Sequence, residues 1–84
     1  MNFIATITVM PQKEILDPQG KAVKLGLANL GINQISDVRI GKNISVSLEA
    51  DSKSDAESKI KLACEKLLAN IIMEEFSFEI TEVV

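Results

Sequence analysis

Asp17-Pro18-Gln19-Gly20 is the point at which this chain is predicted to turn from a strand into a helix. An Asp side chain accepts hydrogen bonds from the first free amides of a helix, and Pro at the first helical position gives up no bonded N–H. Upstream, residues 2–10 are rich in β-branched side chains and alternate Phe3, Ala5, Ile7 and Val9 against Ile4, Thr6, Thr8 and Met10. That alternation predicts a strand with one strongly apolar face, which Pro11 is expected to stop. Downstream, Val23, Leu27 and Leu30 recur at helical spacing and predict a core stripe on a helix closed by Gly31. Gly20 and Gly26 lie inside that helix, where each costs up to about 1 kcal/mol relative to Ala. Close approach of another backbone is the expected reason for a Gly there.

Two further strands are expected at residues 35–40 and 44–50, the second turning Ile44, Val46, Leu48 and Ala50 inward and Ser45, Ser47 and Glu49 outward. A three-residue loop of Gly41, Lys42 and Asn43, with Asn43 left-handed, pairs Ile40 with Ile44 and Val38 with Val46. The second helix is expected to open at a capping box, Ser54-Asp55-Ala56-Glu57. It carries Ala56, Ile60, Ala63, Cys64, Leu67 and Leu68 on its core stripe and a Glu57–Lys61 pair on its wet side, and Asn70 is a left-handed terminator. A last strand over roughly 75–83 turns Phe76, Phe78 and Ile80 to the core. The order β-α-β-β-α-β predicts one α+β domain over residues 1–84. Its expected form is a two-layer fold, a largely antiparallel four-stranded sheet with two helices on one face. The second sheet face, with Ile4, Met10 and Val83 among Thr6, Thr8 and Thr81, is left for a partner.

Composition narrows the function. The 84 residues are 46% hydrophobic and 25% charged, with only three aromatics, so the core is aliphatic and thin. A surplus of apolar residues on so small a frame points to an oligomer or a subunit. A net charge of −3, from 9 basic and 12 acidic residues, gives no footprint for a nucleic-acid backbone. No apolar run approaches the ~20 residues of a membrane span. The lone Cys64, placed on an apolar helix stripe, agrees with a reducing compartment, and a cytoplasmic location is expected.

The chain has no His, Tyr or Trp and a single Cys, which removes most nucleophile–base pairs before geometry is considered. Cys64 reads as a buried core thiol, and no Cys-x-x-Cys or His cluster offers a metal site. Glu74, Glu75, Glu79 and Glu82 alternate across strand faces and read as edge solvation rather than an acid–base pair. Gly41-Lys42 lacks the remainder of a phosphate loop and is first a turn. Leu25 and Leu62 fall off their core stripes and are candidate partner contacts.

Taken together, Lys13 with Leu16-Asp17-Pro18-Gln19-Gly20, the Val38-Arg39-Ile40-Gly41-Lys42 stretch, and Cys64-Glu65-Lys66-Leu67-Leu68-Ala69-Asn70 before an acidic strand start resemble the PurS family, the small subunit of phosphoribosylformylglycinamidine synthase. The resemblance runs over essentially the whole chain. It implies a subunit of a C–N bond-forming ligase of de novo purine biosynthesis, with no catalytic residues of its own. In such complexes a glutaminase subunit releases ammonia and a large synthetase subunit uses ATP and magnesium, while a PurS-like homodimer or homotetramer bridges them. No cofactor is expected on this chain. By position, Asp17, Pro18, Gly20, Arg39, Gly41, Lys42, Leu68, Ala69, Asn70 and Glu74 match the family pattern. Capping and turn geometry account for Asp17, Pro18, Gly20 and Asn70. Arg39, Lys42 and Glu74 have no evident duty in the fold and are the expected partner contacts, with Arg39 replaceable at little cost to folding. One departure is Ile71, where the family usually has Pro. The alternative is a regulatory module of the ACT type, which shares the element order and would use Gly26 and Gly31 in a small-molecule loop.

Overall fold

The alternation of the first ten residues builds the centre of the molecule. In the computed structural model, which describes residues 1–13 and 17–83, strand β1 (Asn2–Pro11) lies between β2 (Lys42–Glu49) and β3 (Glu74–Val83). The sheet is antiparallel, in the order β2-β1-β3. Its register sets Ala5 opposite Val46 and Ile80, and Ile7 opposite Ile44 and Phe78. Phe3, Ala5, Ile7 and Val9 are accordingly buried. Ile4, Thr6 and Thr8 share the open face with Ser45, Ser47, Ser77 and Thr81, as their period of two requires.

Helix α2 (Lys53–Ala63) lies over β1 and β3 and buries Ala56 and Ile60. Its cap sits two residues earlier than the sequence reading placed it. Ser52 Oγ accepts from the Asp55 N–H at 3.1 Å, and Asp55 Oδ2 reaches back past the cap to accept from the Asp51 N–H at 3.2 Å. Asp55 also pairs with Lys59 at 3.2 Å, in place of the expected Glu57–Lys61 pair. Beyond Ala63 the helix widens into a π turn, Cys64–Leu68, where the Ala69 N–H reaches back to the Cys64 carbonyl at 3.1 Å. The wide turn breaks the 3.6 repeat. Cys64 stays buried and Leu68 half-buried, but Leu67, expected in the core, is 81% exposed. Asn70 is not left-handed, since no described residue other than glycine has positive φ. It closes the turn through its side chain instead, with Oδ1 accepting from the Ile72 N–H at 3.1 Å.

Helix α1 (Pro18–Asn29) starts as its sequence requires. Asp17 Oδ1 accepts from the Gly20 N–H at 2.9 Å, and Pro18 is the first helical residue. It also ends as expected, at Gly31 with φ of 85°, where the N–H groups of Gly31 and Ile32 return to the carbonyls of Ala28 and Leu27. Its packing is different. Only Gly20 is buried on this helix; Val23 is 42% exposed, Leu30 77%, and Leu27 is half-buried rather than a core residue. One helix, not two, therefore covers the sheet.

The reason lies in residues 35–40, which form no regular secondary structure and pair with no strand, so three strands form among the described residues instead of four. The Ile40 N–H donates to Asp17 Oδ2 at 2.8 Å, Lys24 Nζ donates to the Ser36 carbonyl at 3.0 Å, and the Gly20 backbone lies against the Val38 carbonyl. These contacts bind α1 to the returning chain, and the two make an arm standing off the sheet. Gly41 then fits against the Val9 carbonyl and Met10, so the chain crosses the end of β1 and joins β2 at Lys42. The three-residue hairpin does not form. Ile44 and Val46 pair with Ile7 and Ala5 rather than with Ile40 and Val38. The molecule measures 50 × 29 × 14 Å, and the inner face of β2, at Ile44, Val46 and Leu48, is only half-buried.

A Cβ at position 20 would strike both the Val38 carbonyl and Asp17 Oδ2. Gly20→Ala is therefore expected to destabilise by about 1–3 kcal/mol, as overpacking does. A thermal melt resolves that, at about 4–8 °C per kcal/mol for a domain of this size. Gly26→Ala, where a Cβ meets nothing, is the matched control and should hold or raise the midpoint.

Candidate partner-binding surface

Three stretches far apart in sequence meet at the Pro11 end of the sheet. Lys42 is paired with Val9 and Glu74 with Pro11 in the strand register, and Arg39 Nη2 donates to the Pro11 carbonyl. The turn after α2 is stitched to the same corner, for the Gln12 N–H donates to the Met73 carbonyl at 2.9 Å and Gln12 Nε2 to that of Ile71 at 3.3 Å. The sequence-selected residues Arg39, Lys42 and Glu74 are thus brought together. Leu16 of the motif lies outside the described residues.

Two of these three charges do have a duty in the fold. Arg39, besides its bond to Pro11, stands 3.7 Å from the Glu75 carboxylate and keeps only 27% of its side chain exposed. Glu74 Oε1 accepts from the Asn70 N–H at 2.8 Å and holds the turn where α2 ends. Lys42 is exposed at the start of β2. Leu25 and Leu62 are exposed, on α1 and α2 respectively, and stand apart from the charged corner in sequence and in element. Leu68 and Ala69 are half-buried and buried. Position 71 holds its place without Pro because the peptide that follows it is bonded at both ends, its Ile71 carbonyl accepting from Gln12 Nε2 and its Ile72 N–H donating to Asn70 Oδ1. Gly31 is spent on closing α1, and nothing lies near Gly26.

No sequence pattern marks Gln12, and Glu75 reads from the sequence only as edge solvation rather than as the partner of Arg39. Each acts on a residue distant along the chain, Met73 in one case and Arg39 in the other, so no local pattern marks the contact.

Asp17 is the electrostatic centre of the corner. Backbone amides of Gly20 and then of Ile40 donate to its carboxylate and hold it below the usual carboxylate range, with Gln19 and the Arg39 charge adding to the effect. A lowered native pKa contributes stability that is present above the unfolded-state pKa and is lost as pH falls through the native one. Asp17→Asn is therefore expected to melt below the parent chain at pH 7, and the gap should close on acidification below about pH 4. Melting curves over that range decide it, and a gap that persists in acid would assign the effect to shape instead of charge. Elsewhere, burial followed by the nearby Glu65 charge pushes the Cys64 thiol up, which makes it a poor nucleophile. No three His, Cys, Asp or Glu side chains converge as a metal site among the described residues.

This geometry matches a known family along almost the whole chain. The family model PurS, phosphoribosylformylglycinamidine (FGAM) synthase, matches residues 4–82. The chain belongs to the PurS family. It is 44% identical over 80 residues to the phosphoribosylformylglycinamidine synthase subunit PurS of Synechocystis, covering 95% of this chain and 80% of that one. Against the same subunit of Bacillus subtilis it is 40% identical over 78 residues, covering 93% and 92%. The solved structure of B. subtilis PurS shares the fold with a TM-score of 0.85 at 38% identity, over 95% of this chain and 99% of that one. A chain in the structure of PurLQS from Thermotoga maritima does so with a TM-score of 0.88 at 30% identity, over 96% and 99%. The PurS fold is thus an α+β arrangement of two helices and an antiparallel sheet, as the sequence pattern implied.

Proposed function

We propose that this chain is the small, non-catalytic subunit of a glutamine- and ATP-dependent FGAM synthase of purine biosynthesis, bridging the glutaminase and synthetase subunits for ammonia transfer. The observation that carries the bridging role is the unfinished packing. Val23 and Leu30 on α1 are exposed, and the inner face of β2 lacks a helix above it. Both are halves of an interface. The accessible surface is 6117 Å², about 1,200 Å² more than a folded monomer of this mass ordinarily presents. A stable interface removes about 800 Å² or more from each partner. A second copy supplies the match in shape and chemistry: its α1 laid over β2 covers both apolar surfaces by a symmetric exchange of arms. In that homo-oligomer both helix layers lie on one side of the sheet, and residues 35–40 supply a fourth strand.

The chemistry agrees. A chain without histidine, whose one cysteine is buried with its thiol pushed up, lacks the activated nucleophile that glutamine hydrolysis calls for. Glutamine hydrolysis and the ATP- and magnesium-dependent step fall to the other subunits, in the cytoplasm. No helix among the described residues is long and apolar enough to cross a membrane.

The test is assembly. Mixed with the synthetase and glutaminase subunits, glutamine and nucleotide, the purified chain should co-elute with them in one size-exclusion peak. Separate elution under those conditions, with each component folded, counts against the bridging role.

A further inference from the structure

Between the arm and the Pro11 end of the sheet lies a cavity of about 430 Å³, walled by Pro11, Lys13, Asp17, Lys21 and Arg39, with Asp37 beside them. Its volume is within the range of small-molecule sites, about 300–1,000 Å³. Its charge departs from that of the chain. The protein has 9 basic and 12 acidic residues, yet three of the basic ones face this single cavity. They come from the turn after β1, the first turn of α1 and the irregular segment 35–40, so the fold and not local sequence gathers them.

Among the described residues, the two carboxylates lining the cavity each accept from backbone amides. Asp17 accepts from Gly20 and Ile40 at 2.9 and 2.8 Å, and Asp37 Oδ1 accepts from the Val38 N–H at 2.9 Å. Arg39 is anchored through Nη2, by the Pro11 carbonyl and the Glu75 carboxylate, which fixes the plane of its guanidinium and leaves its other N–H groups to a ligand. A restrained Arg flanked by two exposed lysines suits a compact oxyanion of charge near −2 with acceptors in several directions. A single carboxylate needs only the planar fork of one Arg.

We propose that this cavity binds the phosphate group of a small phosphorylated molecule. The site belongs to this chain alone and does not depend on its role as a subunit. Lys13 and Lys21 supply charge, and Arg39 supplies orientation.

The test uses the isolated full chain, labelled for NMR and titrated at constant ionic strength with inorganic phosphate, pyrophosphate and ribose 5-phosphate, with succinate as the carboxylate arm. Saturable shifts are expected at the amides of Gln19, Lys21, Val38 and Arg39, strongest with whichever phosphate compound is the better mimic. Lys13→Ala with Lys21→Ala, both exposed and outside the core, should keep the parent's melting midpoint and weaken binding about tenfold or more. A pyrophosphate response alone assigns a diphosphate, and a ribose 5-phosphate response alone assigns a phosphosugar. Each result supports the site. Absence of saturation at millimolar ligand, shifts spread evenly over all lysines, saturation by succinate only, or unchanged binding in the folded double variant would each overturn it.

Discussion

Val23→Glu combined with Leu30→Glu is expected to give a folded monomer that no longer joins its partners. Both side chains lie on the outer surface of the arm, 42% and 77% exposed, so neither supports the sheet of its own copy. Covered in an assembly, each would contribute roughly 1.5–3 kcal/mol of apolar burial. Replacing both with carboxylates removes about 3–6 kcal/mol, a factor of roughly 10²–10⁴ in dissociation constant. It further asks two charges to enter an apolar interface. Sedimentation velocity should show the mass fall to that of one 9.2 kDa chain while circular dichroism retains the parent's spectrum. A double variant of unchanged mass would remove the arm from the interface.

The second large effect belongs to the strand at the centre. Phe3 is among the largest fully buried side chains, packed under α2, and Phe3→Ala is expected to cost about 3–5 kcal/mol through the cavity it leaves. Domains this small have a net stability of about 4–13 kcal/mol at roughly 0.05–0.15 kcal/mol per residue. The substitution therefore takes much of the total and should move the urea midpoint sharply. Ile4 is its neighbour in sequence but projects from the open face, 38% exposed. Ile4→Ala should cost under about 1 kcal/mol in the monomer. Equal losses at the two positions would contradict the alternation on which the whole sheet rests.

That alternation was legible because it is local. The side-chain period of two in residues 2–10 and again in 76–80 states which face is buried, and the register bears it out at Phe3, Ala5, Ile7, Phe78 and Ile80. Asp17 and Gly31 were legible for a related reason, since caps are decided by the few residues around them. What escaped was non-local. The stripe Val23, Leu27, Leu30 says that a helix face is apolar, but not which chain covers it. Residues 35–40 have strand chemistry, yet Asp17 and Gly20 hold that backbone against α1, and nothing in Ile35 or Val38 announces the capture. The π turn after Ala63 was invisible to a reading that assumes 3.6 residues per turn, and it put Leu67 outside.

The sequence marks three charges that the fold gathers at the Pro11 corner, but not what they do there. Arg39 and Glu74 were singled out as charges without a structural duty. Each proves to hold the Pro11 corner, through Pro11 and Glu75 in one case and Asn70 in the other. Of the three selected charges, Lys42 is left most free to meet a partner. Arg39→Ala is accordingly expected to loosen this corner as well as any contact beyond it.

The account rests on the chain being a connector whose exterior does its work. Its most direct measurement is the rate of amidine formation by the synthetase and glutaminase subunits, with and without this chain, using glutamine and then free ammonia as nitrogen source. The prediction is that the chain is required with glutamine and dispensable with ammonia, because only transfer between subunits needs a bridge. A glutamine-supported rate that is the same without it, or turnover by the chain alone, would contradict the account.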